Sequence, residues 1–265
     1  MISDGTGITA ENLGNSLITQ FENIQFEKQT IPYLDSIDKA QALVLELDSC
    51  YLKTGFKPLL FITLIDQEIV DIIKQAHASI FDLFNTFIGP LEHELHDKSS
   101  YTVGKTHGVA DVQSYTDRIE AINYALAHDD GIKITDYNKA DIILLGVSRS
   151  GKTPSCLYMA LHFGVLAANY PITEEDLSSF HLPDFLYPYK TKLFGLTIEP
   201  KRLQQIRNER RPNSRYSSIE QCKYEINQAT QMYKKDDIPY INSTHLSIEE
   251  ISTKILTIVG IKRKL

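Results

Sequence analysis

Residues 141–155 read Asp-Ile-Ile-Leu-Leu-Gly-Val-Ser-Arg-Ser-Gly-Lys-Thr-Pro-Ser. Gly146, Gly151, Lys152 and Thr153 stand at the G-x-x-x-x-G-K-T spacing of a phosphate-binding P-loop. Each residue type has a chemical reason. The glycines let the backbone curl until successive N–H groups converge on an anion. Lys152 can reach a terminal phosphate, and the Thr153 hydroxyl can hold Mg²⁺. Gly146, Val147, Ser148, Arg149, Ser150, Gly151, Lys152 and Thr153 are therefore the expected nucleotide-binding residues, with Thr153 also the expected metal ligand.

The flanking sequence supplies the elements this loop needs. Ile142 to Leu145 form a short apolar run that reads as a buried strand. A helix is expected from Thr153 to about Ala168, its positive end facing the anion. Pro154 fits its first turn, which has no use for that N–H.

Other residues compete for supporting roles. Glu199, at the end of the run Leu193 to Ile198, could hold Mg²⁺ or activate a nucleophile. So could Asp66, which ends the apolar run Pro58 to Ile65, or the pair Asp129 and Asp130. The sequence leaves these open. Of eight arginines, Arg202, Arg207, Arg210, Arg211 and Arg215 fall within fourteen residues. Arginine forks suit phosphate or carboxylate, although a solvated helix face is the competing explanation. Ser3-Asp4-Gly5-Thr6-Gly7 could bind an anion at a helix start, or could simply be a capped turn. Only Met1 and Ile2 stand where a strand should precede it. His93 and His96 lack the H-E-x-x-H zinc spacing, and His107 is a lone loop histidine. Cys156, just past the loop, reads as a packing residue.

Along the chain, strands and helices alternate, which predicts α/β architecture with mostly parallel sheets. The expected helices run from about Thr9 to Phe21, Asp38 to Cys50, Asp66 to His77, Asn85 to Leu95, and Asp117 to His128. Further helices are expected at Pro200 to Arg211, Ser217 to Tyr233 and Ser247 to Val259. Residues 97–117 read as an irregular connector. The division expected is an N-terminal α/β domain, 1–110, and a C-terminal P-loop NTPase-like α/β domain, 111–265, with the boundary between 97 and 140.

Composition limits the classes. The chain has 265 residues, 42% hydrophobic and 23% charged, with a formal net charge of −7. That is ordinary globular composition, and the negative charge argues against nucleic acid as a partner. Cys50, Cys156 and Cys222 are scattered and odd in number, which suits a reducing cytoplasm rather than a disulfide framework. No apolar run approaches the ~20 residues of a membrane span, and no basic-then-apolar leader is evident.

Several segments together resemble a known family. They are Ser3-Asp-Gly-Thr-Gly-Ile-Thr-Ala-Glu, Asp117-Arg-Ile-Glu-Ala-Ile, His128-Asp-Asp-Gly, Gly146-Val-Ser-Arg-Ser-Gly-Lys-Thr-Pro-Ser, Leu193-Phe-Gly-Leu-Thr-Ile-Glu-Pro, Ile206-Arg-Asn-Glu-Arg and Ser247-Ile-Glu-Glu-Ile. This set resembles the bifunctional regulatory proteins of phosphoenolpyruvate synthase and of pyruvate, phosphate dikinase. The Gly-Lys-Thr ending is similar to the synthase branch; the dikinase branch tends to carry Ser where Gly151 stands. The carboxylate at Glu199 is often Asp or Ser in the family.

The resemblance implies a kinase that uses ADP to phosphorylate a threonine of its target, yielding AMP and an inactive enzyme. It implies a second activity, in which inorganic phosphate removes that group and pyrophosphate is released. The implied target is phosphoenolpyruvate synthase (pyruvate, water dikinase), recognised with its catalytic histidine phosphorylated. Mg²⁺ is the implied metal, and a homodimer is compatible with this reading. Within it, Lys152 neutralises the transferred group, and Arg149 with one or more of Arg202, Arg207 and Arg210 stabilises charge in transit. Asp4, Asp111 or Asp130 takes the proton. From the loop alone, an ATP-dependent small-metabolite kinase is the natural alternative, followed by a nucleotide-gated regulator without catalysis.

Overall fold

The computed structural model describes residues 1–102, 112–131, 133–179, 181–262 and 264. The expected connector residues Gly104, His107 and Gly108, and the candidate acid Asp111, lie outside the described residues. The chain divides into two compact units, Met1–Gly108 and Val109–Leu265.

The first unit is built on three parallel strands. They are β1 (Ile2–Ser3), β2 (Leu59–Thr63) and β3 (Ser79–Asp82), in the order β1-β2-β3. The strand expected ahead of Ser3 is present, reduced to two residues that pair as Ile2↔Ile62 and Ser3↔Thr63. Four helices accompany the sheet: α1 (Ile8–Ile18), α2 (Ile37–Thr54), α3 (Gln67–Ile73) and α4 (Asn85–Leu95). Strand alternation assigns the two faces of β2. Leu60, Ile62 and Leu64 pack with Leu43 and Leu47 of α2 and Val70 of α3. Phe61 packs with Ile18 of α1 and with Leu83.

The second unit holds four parallel strands in the order β5-β4-β6-β7, namely β4 (Ile142–Gly146), β5 (Ala167–Pro171), β6 (Leu193–Thr197) and β7 (Tyr240–Asn242). The helices are α5 (Val112–Ala127), α6 (Lys152–Phe163), α7 (Glu174–Ser179), α8 (Pro200–Arg210), α9 (Ile219–Lys235) and α10 (Ile248–Val259). β4 is buried along its whole length and flanked on both edges. Ile142 and Leu144 face α5, α6 and α10 through Ala121, Met159 and Ile255. Ile143 and Leu145 face α8 and α9 through Leu203, Met232 and Tyr233. A strand covered on both faces reads as a continuous apolar run, which is why Ile142–Leu145 were recognisable.

The helix after the loop is shorter than the sequence suggested. It ends at Phe163, where Gly164 takes φ 64° and returns its N–H to Ala160 O. The residues read as its last turn enter β5 instead, paired from Ile142↔Ala167 to Gly146↔Pro171. Ala-Ala-Asn-Tyr-Pro has weak strand preference by itself, so pairing with β4 decides its state.

Candidate functional site

The strand-to-helix junction β4–α6 sits at the carboxyl edge of the second sheet, where open parallel sheets receive ligands. Gly146 ends β4 and Gly151 caps α6 with φ 98°, a left-handed value that favours glycine. Arg149 also has positive φ, at 73°, and its side chain is exposed. The first turn of α6 leaves the N–H groups of Lys152 and Thr153 without intrahelical acceptors. Lys152 is 4% exposed and donates from Nζ to Val147 O at 3.1 Å. Burial pulls its ammonium down to about 8, against the opposing pull of Asp130, Cys156 and Asp129. The buried lysine and the exposed Arg149 thus bracket one loop with positive charge.

Carboxylates come to this loop from the segment after α5. Thr153 donates its hydroxyl to Asp129 Oδ1 at 2.7 Å. Asn169, on β5 and 1% exposed, donates from Nδ2 to the same Asp129 oxygen, while its Oδ1 accepts the N–H of Asp130 at 3.0 Å. Asp130 is exposed, with φ 48°. Among the carboxylates the sequence left open, the Asp129 and Asp130 pair is the one placed at the junction. Asp129 and Thr153 place two hard oxygen atoms 2.7 Å apart. That donor set fits Mg²⁺, which keeps several waters and few protein ligands. Among the described residues there is no cluster of three or more His, Cys, Asp or Glu suited to a metal.

Arg207 is placed differently from expectation. Instead of facing a ligand, its side chain is wholly buried. Its Nε and Nη2 donate to Ser148 O at 3.3 and 3.1 Å, Nη1 donates to Tyr216 O at 3.0 Å, and Nη2 pairs with Glu225 at 2.6 Å. The guanidinium lies 4.2 Å from the centre of the Tyr216 ring. Burial works against its charge, and the Glu225 carboxylate more than offsets that, raising its pKa. Every face of Arg207 is occupied, so it braces the loop from behind. Arg202, Arg210 and Arg211, on or just beyond α8, are exposed.

The remaining candidates lie elsewhere. Glu199 is exposed at the start of α8, 3.9 Å from His245. Asp66 caps α3 in the first unit by accepting the N–H of Glu68. Asp4 belongs to the first unit, where its carboxylate accepts the N–H of Ile65 at 2.9 Å and burial raises its pKa. Gly7 starts α1 with φ 80° and no side-chain cap. His93 and His96 are exposed at the end of α4. Cys156 is buried in the core, with its thiol pushed well above the ordinary range by burial. Sequence reasoning missed Asn169, because it lies just past the expected helix end at Ala168, in residues for which no strand was expected. It also missed Tyr216 and Ser243, which carry no motif.

A parallel α/β unit with a glycine-bounded strand-to-helix junction, a buried lysine and paired aspartates defines a class of protein suited to handling an anion. The comparisons narrow the class. The chain belongs to the kinase/pyrophosphorylase family, whose model matches residues 1–256. It is 68% identical over 265 residues to a protein of Legionella pneumophila (strain Lens), covering 100% of this chain and 98% of that one. It is 53% identical over 264 residues to one from Stutzerimonas stutzeri (strain A1501), covering 100% and 97%. A Pseudomonas fluorescens (strain Pf0-1) protein is 53% identical over 263 residues, covering 99% and 97%. All three carry the provisional name phosphoenolpyruvate synthase regulatory protein. Among the described residues, no helix is long and apolar enough to cross a membrane.

Proposed function

We propose that this chain is a cytoplasmic, bifunctional regulator of a phosphoenolpyruvate synthase. It transfers the β-phosphoryl group of ADP to a threonine of the synthase, and it removes that group with inorganic phosphate. The observation that carries this reading is the junction itself: Lys152 buried behind a glycine-bounded loop, with Thr153 bonded to Asp129 at 2.7 Å. Family membership supplies the reaction class.

In the forward direction the threonine oxygen attacks the β-phosphorus of ADP. The bond from that phosphorus to the bridging oxygen breaks, and AMP leaves with the electron pair. The threonine proton passes to a carboxylate, for which exposed Asp130 is the candidate at this loop. In reverse, a phosphate oxygen attacks the phosphothreonine phosphorus. Pyrophosphate forms, and the threonine oxygen leaves and regains a proton from the same carboxylate. Such transfers depend on position and charge neutralisation more than on covalent help from the protein. One P-loop cradle from Gly146 to Thr153 serves both directions, because each places one phosphoryl group in it. Lys152 and Arg149 neutralise its charge. Mg²⁺, held by Thr153 and Asp129, supplies further neutralisation when bound.

The test incubates the protein with purified phosphoenolpyruvate synthase, phosphoenolpyruvate and ADP labelled at the β-phosphate. A parallel reaction contains labelled ATP freed of ADP. The expected result is label on a synthase threonine from ADP only, released as pyrophosphate on adding phosphate. Label from ATP alone, or none on the synthase, rejects the reading.

A further inference from the structure

The two peptide groups flanking Arg149 and Ser150 are held from behind by buried side chains. The Ser148 carbonyl accepts two bonds from Arg207, at 3.3 and 3.1 Å. The Ser150 carbonyl accepts the Ser243 hydroxyl at 3.1 Å. Arg207 is 0% exposed and Ser243 is 6% exposed, so both carbonyls point into the body of the unit. In a trans peptide the C=O and the following N–H point in opposite directions. Fixing the Ser148 and Ser150 carbonyls inward therefore turns the N–H groups of Arg149 and Gly151 outward, toward the open side of the loop. Among the described residues, neither N–H has an acceptor. The positive φ of Arg149, 73°, is a conformation that a non-glycine residue keeps only when its surroundings impose it.

We infer that Arg207 and Ser243 are positioning residues that aim the Arg149 and Gly151 amides at the bound phosphoryl group, each through the carbonyl it holds. Neither side chain touches the ligand. Arg207 is held in turn by Glu225, at 2.6 Å, and Ser243 by its backbone N–H, which donates to Thr197 O at 2.8 Å; its single hydroxyl proton lies between Ser150 O and Thr197 O, each 3.1 Å from Oγ. The two pins reach the loop from separate elements, Arg207 from α8 and Ser243 from just past the end of β7. They explain why an arginine beside a phosphate loop is spent wholly on protein acceptors. The inference rests on the proposed phosphoryl-transfer reading and adds the residues that preorganise its cradle.

The experiment follows the backbone amide resonances of Arg149 and Gly151 while ADP, and separately inorganic phosphate, is titrated into the full chain. Calorimetry on the same samples gives affinities. The first variant combines Arg207→Met with Glu225→Met, replacing a buried ion pair by apolar residues of similar bulk, a change proteins often tolerate. The second is Ser243→Ala. The wild type is expected to show both amides shifting. The double variant is expected to lose the Arg149 response and keep that of Gly151, and Ser243→Ala the reverse. Each is expected to weaken binding about tenfold, the effect of one hydrogen bond. Ser243→Ala carries the test alone if the double variant does not fold. Equal responses and affinities in wild type and variants overturn the positioning role only. A wild type that binds neither ADP nor phosphate overturns the proposed function beneath it.

Discussion

Lys152 is the residue whose chemistry is most altered by its surroundings. Burial lowers its pKa to about 8, so its charge fades as pH rises through that value. Since this lies below the ~10.4 of an unfolded lysine, the buried charge costs stability below pH ~8, and the cost disappears as pH approaches ~10. Phosphate affinity of the free protein should therefore fall as pH rises through about 8. Lys152→Ala should abolish that step and lower turnover ~10²–10³-fold. A pH-independent affinity in the wild type would show that Lys152 does not meet the phosphate. Thr153 makes a second, separable contribution. Thr153→Val keeps the shape and removes the hydroxyl bonded to Asp129. It should raise the Mg²⁺ concentration needed for half-maximal activity roughly tenfold or more, with the thermal midpoint little changed. Lys152, Thr153 and the two glycines could be singled out in the sequence because the G-x-x-x-x-G-K-T pattern fixes their spacing, and the fold places them at the β4–α6 junction. Asp129 could be shortlisted from sequence but not chosen, because its selection depends on Asn169, forty residues away on β5.

At the scale of elements, β6 shows how close packing fixes α9 against the sheet. Gly195 lies against the ring of Tyr233 on α9, and a Cβ there would come within 2.7 Å of that ring. Tyr233 is buried, and its hydroxyl lies 3.2 Å from Leu145 O and 3.4 Å from Leu196 O, with one proton to share between β4 and β6. It cannot withdraw without losing that shared hydrogen bond. Gly195→Ala should cost ~1–3 kcal/mol in denaturant unfolding, the usual range for overpacking a filled core. Unchanged stability would mean that α9 moves more freely than its packing indicates. Most elements were legible because their apolar periods are strong: β2 and β4 as continuous runs, α10 from its Ser247–Glu250 capping box. β5 was not, because its first residues, Ala167 and Ala168, continue the helical pattern of α6 and only Gly164 marks the break. The placement of Arg207 was equally hidden. A cluster of arginines says nothing about which one turns inward, and Glu225, its partner, is eighteen positions away.

The whole molecule consists of two compact units, each with its own parallel sheet and core. The cysteines report on both. Cys50 is exposed on α2, whereas Cys156 and Cys222 are buried in the second unit with their thiols pushed up in pKa. Under native conditions a thiol reagent should therefore modify Cys50 rapidly and leave the other two until the second unit unfolds. Mass spectrometry of the labelled peptides checks this. Early labelling of Cys156 would indicate that α6 opens well below global unfolding, a motion that would reach the β4–α6 loop directly. Net charge was readable from composition, but the concentration of arginine around α8 acquires meaning only when the fold shows one of them turned inward and the others left on the surface.

The ring of Tyr216, resting on the Arg207 guanidinium with its hydroxyl 2.9 Å from Ser148 Oγ, has an optical consequence. The chain contains no tryptophan. Tyr216→Trp would install a single indole emitter beside the loop, over a cation that quenches or shifts its emission according to their separation. Occupation and release of the loop would then be read as light, in real time, from a molecule with no other indole to obscure the signal.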